Sequence, residues 1–109
     1  MMSPYGKEYE LKPINENPLI LDFANCKYIE DVHFMLKHKF GLPDITGENW
    51  NAFWDFLKDR CYLHAPLLVE IKNYHGIPED LRKYCEMAMF RIFDKIHDEY
   101  PQITFKRIS

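Results

Sequence analysis

Apolar residues recur along this chain with two different periods, and the switches between them divide it into strands and helices. From Leu19 to Asn25, Leu19, Leu21 and Phe23 share one side of a period-two pattern and Asp22 interrupts the other, which predicts a strand. Between Ile29 and Phe40 the period lengthens: Ile29, Val32, Leu36 and Phe40 recur at helical spacing. Glu30 and Asp31 at the start and Lys37, His38 and Lys39 at the end complement the helix dipole. Gly41 and Pro43 stop that helix. Pro66 to Lys72 returns to alternation through Leu67, Val69 and Ile71, and Asn73 to Ile77 is a turn. Pro78, with Glu79 and Asp80 beside it, opens the longest helix, in which Leu81, Cys85, Ala88, Met89, Ile92 and Ile96 keep helical spacing to about Asp98. Tyr100 and Pro101 end the pattern, and Ile103 to Ile108 is the last strand.

The stretch from Leu42 to Leu57 concentrates turn residues, both tryptophans and acidic side chains. Pro43 and Gly47 punctuate a loop, Thr46 or Gly47 can cap a helix, and Glu48 brings negative charge to a first turn. The spacing predicts a helix from about Glu48 to Lys58. Trp50, Phe53, Trp54 and Leu57 cluster on one side and Glu48, Asn51, Asp55 and Asp59 on the other. Both tryptophans read first as core, with Trp54 the nearer to the surface.

Strands that alternate with helices predict an α/β fold with a small parallel sheet, and alternation within the strands places the helices chiefly on one face. Met1 to Asn17, interrupted by proline and poor in apolar residues, reads as an arm, disordered or forming an edge strand through Tyr9 and Leu11; residues 18–109 form the domain.

With 109 residues and 47% hydrophobic content, one domain can bury a core without disulfides or metal. A net charge of −3 with no basic stripe gives no support to direct nucleic-acid binding. Asp44, Glu48, Asp55 and Asp59 against Lys58 carry that same −3 within one short stretch, which suits a cationic partner. Cys26, Cys61 and Cys85 are odd in number and lack a disulfide spacing; with no signal peptide and no membrane-length apolar run, they point to a reduced, cytoplasmic protein. The five histidines show no metal-site spacing, and Cys61 and His64 lack two further ligands. No nucleophile motif, phosphate-cradling glycine run or catalytic carboxylate pair is present, so an enzyme is not expected.

The order Leu42-Pro43, Gly47-Glu48-Asn49, Ala52, Trp54-Asp55 resembles the barstar family of ribonuclease inhibitors, in register from roughly Leu19 to Ser109. The resemblance implies a two-layer fold of about three parallel strands and three to four helices, with a break between Asn73 and Tyr84. It also implies a cytoplasmic inhibitor, or immunity protein, that is monomeric when free and uses no cofactor. Such a protein would bind a bacterial ribonuclease, barnase-like or another toxin nuclease, and block its active site. Asp55 matches the aspartate that takes the place of an RNA phosphate; Gly47, Asn49, Trp54, Asn51, Thr46, Ile45 and Lys95 match other partner-binding positions. Three departures bear on partner choice: Asn51 replaces an acid, Ile45 and Thr46 replace a tyrosine pair, and Lys95 replaces a glutamate. A noncatalytic regulatory module for a different basic protein is the alternative. A small enzyme would instead need a cleft with a thiol and an imidazole within hydrogen-bond reach.

Overall fold

The computed structural model describes residues 11–108, so Tyr9 and its expected strand lie outside the described residues. Three strands, β1 (Leu19–Asp22), β2 (Leu67–Lys72) and β3 (Ile103–Arg107), form one parallel sheet in the order β1-β2-β3. Parallel neighbours need crossovers, and helices supply them: α1 (Ile29–Lys39) and α2 (Trp50–Cys61) between β1 and β2, then α3 (Glu79–Glu99) between β2 and β3. This is the expected two-layer α/β architecture.

Register follows from side-chain alternation. Leu19 and Leu21 pair with Val69 and Ile71, and Leu67 pairs with Ile103, so one face of the sheet is a buried apolar layer. The alternate positions, Asp22, Thr104 and Lys106 among them, face outward. A register slip of one residue would turn the buried set to water. α1, α2 and α3 bury their apolar sides in the same core cluster as this layer. They meet at Phe40, whose ring contacts Phe53 of α2 and Phe93 of α3, each with ring centres 6.2 Å away. All three phenylalanines are buried, and truncating one to alanine costs about 3–5 kcal/mol.

β1 is shorter than the expected Leu19 to Asn25: Asp22 Oδ1 accepts the Ala24 N–H at 2.9 Å and turns the chain out of the ladder. The first helix ends as expected at glycine. Gly41 has φ +65°, its N–H donates to His38 O, and the Leu42 N–H donates to Lys37 O at 2.9 Å, the paired closure of a left-handed C-terminus. At the other end, Asp31 Oδ2 accepts from the Lys27 and Tyr28 N–H groups, bonds that hold its carboxyl below the usual range. The anticipated break before the long helix is a 3-10 turn at Tyr74–Gly76 followed by extended Ile77 and Pro78; α3 itself is continuous.

Residues 11–17 form no strand. Leu11 and Ile14 pack half-buried against the core, Glu16 pairs with Lys39, and the Asn17 side chain bonds to both Pro66 O and Leu68 N at 3.1 Å.

Candidate partner-binding surface on the second helix

The loop from Gly41 to Asn49 is built before the helix that it leads into. Pro43 holds extended backbone, and Pro43 O accepts both the Thr46 N–H (3.0 Å) and the Thr46 hydroxyl (2.7 Å), closing a 3-10 turn over Asp44–Thr46. Thr46 is therefore 2% exposed: its hydroxyl shapes the loop and offers nothing to the surface. Its neighbour Ile45 is turned outward, 47% exposed. Gly47 then adopts φ +58° and ψ −147°, a region that essentially only glycine occupies, so its role is conformational.

The cap of α2 is neither Thr46 nor Gly47. Asn49 takes that place, with Oδ1 accepting from the N–H groups of Asn51 (2.8 Å) and Ala52 (3.3 Å). The helix starts at Trp50 and runs to Cys61, two residues later and three residues further than predicted, which leaves Glu48 in the loop ahead of the first turn. The shift has a simple cause: the Asn49 side chain accepts two otherwise unpaired helix N–H groups, while Thr46 is held inside the 3-10 turn and Gly47 has no side chain to accept them.

Along α2, Phe53 and Leu57 are buried, while Asn51, Asp55 and Asp59 are exposed, as the helical phase predicts. Asp55 is an open candidate contact with charge: its side chain is 69% exposed and its ion pair with Lys58 spans 3.8 Å. Trp50 and Trp54 are both half-buried, so neither is the fully buried core residue expected, and Trp54 does not stand apart by burial class. Trp50 is held among His33 (ring centres 4.3 Å apart), Tyr84 (5.4 Å) and Phe53 (5.7 Å). Its Nε1–H is buried without a well-formed hydrogen bond; the interaction with the nearby Tyr84 oxygen acts only as a minor effect against burial, which raises the Tyr84 pKa. Trp54 instead carries cations: Lys58 Nζ lies 5.2 Å and Lys95 Nζ 5.5 Å from its ring centre. Lys95 is thus brought from α3 to the same surface as Asp55.

Two supports were not evident from the pattern. His33 of α1 is buried, and its Nε2 lies 2.8 Å from the Tyr84 hydroxyl; burial lowers its pKa. Arg60, at the far end of α2, reaches back to Phe40 O (3.1 Å), Gly41 O (3.4 Å) and Lys12 O. The Lys58 contact was readable in principle, since positions i+3 from Asp55 and i+4 from Trp54 share a helix face. The Arg60 reach depends on how two helices cross and leaves no local signal.

Other chemistry finds little footing. Among the described residues no group of three or more His, Cys, Asp or Glu side chains is placed to hold a metal ion, and no helix is long and apolar enough to cross a membrane. All three thiols are free and buried; desolvation pushes Cys26 up to about 11 and Cys61 and Cys85 up to about 12, far from the thiolate a nucleophile needs.

Residues 17–107 match the protein family described as Barstar (barnase inhibitor). A protein of Bacillus subtilis (strain 168), named "Putative ribonuclease inhibitor YrdF", is similar to this chain, with 32% identity over 68 residues that span 62% of this chain and 72% of that one. The family match over most of the sequence agrees with the three-stranded parallel sheet and with the capped loop-helix unit described above: the chain belongs to the barstar family, whose members are inhibitors and not enzymes.

Proposed function

We propose that this protein inhibits a bacterial ribonuclease in the cytoplasm by laying the Ile45–Asp55 surface over its active site, with the Asp55 carboxylate in the place of an RNA phosphate. The observation that carries this reading is the state of Asp55: an open carboxylate on the outer face of a capped helix, held by one long ion pair. A ribonuclease active site gathers cationic donors for phosphate, and a carboxylate can accept charge-assisted hydrogen bonds from the same groups. Gly47 and Asn49 fix the approach of the loop, Ile45, Asn51 and Trp54 supply the contact surface around the acid, and Thr46 acts from inside the loop. Family membership supports a ribonuclease as the class of partner.

Hydrolysis of RNA by purified bacterial ribonucleases, barnase among them, tests this directly. Wild-type protein should suppress at least one of them at near-stoichiometric amounts. Asp55→Ala should weaken that inhibition by about 30-fold or more, the equivalent of the ~2 kcal/mol that marks a hot spot; the barnase–barstar complex is itself a reference case for such energies, so the magnitude is carried over from it. Its stability should move by only about 0.5 kcal/mol, as for an exposed side chain. An Asp55→Ala protein that inhibits like wild type but melts much lower would make the residue structural and reject the mimicry.

A further inference from the structure

The geometry points to a two-signed partner surface: beside the Asp55 anion, Lys58 and Lys95 form a fixed cationic pole on Trp54, so the fitting nuclease presents a carboxylate next to its phosphate-binding cations. This rests on the inhibitory reading of Asp55.

Two ammonium groups from different helices converge on one indole, at 5.2 and 5.5 Å from its centre, both inside the range in which a ring face attracts a cation. Lysine normally retains much rotamer freedom at a surface, and ring attraction restricts it. Among the described residues Lys95 has no carboxylate within ion-pair distance, and Lys58 has only the 3.8 Å contact to Asp55. The ring therefore gathers two like charges that no acid among the described residues fully offsets. A partner that covered this place with arginine or lysine would face repulsion at short range, and one that covered it with apolar atoms would strip water from two cations that share one long ion pair; both carry a penalty. A carboxylate relieves both problems. The acidic stretch around Asp44, Glu48 and Asp55 draws a cationic site, while the lysine pair sets the orientation of docking and rejects nucleases whose basic surface runs on without interruption.

The first test reads the pole without a partner. In a Trp50→Phe protein, which leaves Trp54 as the sole tryptophan, iodide should quench the remaining fluorescence several-fold more strongly than caesium at equal ionic strength, each ion being scaled to its quenching of free N-acetyltryptophanamide. Lys58→Met with Lys95→Met should remove the difference. Equal quenching by the two ions before the lysines are removed would overturn the pole.

The second test uses the purified ribonuclease that wild-type protein inhibits most strongly. Lys95→Glu should weaken inhibition about tenfold, and exchange of the facing nuclease carboxylate for lysine should restore it. Inhibition that is unchanged or stronger with Lys95→Glu, while Asp55→Ala abolishes it, would overturn the two-signed surface and leave the inhibitor reading standing. Inhibition indifferent to Asp55→Ala would reject that reading itself, whatever Lys95→Glu does.

Discussion

His33 Nε2 lies 2.8 Å from the Tyr84 hydroxyl, a bond that joins α1 to α3 across 51 residues of sequence and backs the face of Trp50. Burial there penalises charge, which favours the neutral ring of His33 and lowers its pKa.

Stability should therefore depend on pH through His33. Its folded pKa lies below the ordinary 6.5, so near and below 6.5 the unfolded chain binds a proton that the folded chain resists. The contribution is whole above about pH 6.5 and is lost as pH falls toward the lowered folded value. Asp22 and Asp31, both lowered chiefly by hydrogen bonds, act in a separate window below their ordinary 3.8. Urea midpoints between pH 5 and 8 should slope downward on the acid side in wild type and much less in His33→Phe. Parallel curves for the two proteins would show that the imidazole is not the titrating group.

Asn49 should link helix stability to binding. Asn49→Ala leaves the Asn51 and Ala52 N–H groups without their acceptor and should cost about 1 kcal/mol of folding stability. Asn49→Asp keeps an acceptor at the same helix end and should fold as well as wild type, with the added negative charge favoured there. Chemical denaturation of the three proteins checks the order. An alanine variant as stable as wild type would mean that another group caps α2.

The glycines should rank by conformation. Gly76 has no positive φ, and a methyl group added to its Cα would meet no atom within 4 Å, so it should accept alanine with little change. Gly47 has open space but a glycine-only backbone, so Gly47→Ala should cost about 1–3 kcal/mol and move the loop. Gly41→Ala should be worst, since it adds to the left-handed strain a collision with the Lys12 carbonyl. Thermal melts of the three single variants give the ranking, and an intolerant Gly76 with a tolerant Gly41 would contradict it.

The sequence carried the architecture well because strand and helix periods are set by geometry that every residue obeys. The buried sides of the strands, Leu19 and Leu21 in one and Val69 and Ile71 in the other, needed only alternation to be found, while their pairing came from the structure. Helix starts were less legible, since Thr46, Gly47 and Asn49 are all acceptable caps, and which one serves depends on the path of the 3-10 turn that takes up Thr46. Within the candidate surface, helical phase sufficed to expose Asp55, but the inward turn of Thr46 and the meeting of Lys95 with Trp54 come from packing between elements. His33 shows the same limit. A polar residue at the margin of an apolar stripe becomes core when a partner hydroxyl arrives from a distant helix.

Arg60 stands three turns from the start of α2 and still fastens the segment that precedes it, through the carbonyls of Phe40, Gly41 and Lys12. With the C-terminal closure of α1 at one end and the Asn49 cap at the other, the loop carrying Ile45 and Gly47 is tied at both margins to helices. Much of the disorder that a free loop would surrender on docking has then been surrendered during folding. On this side of a complex no loop rearrangement need come first, and the rate of association should be limited by diffusion, charge steering and orientation.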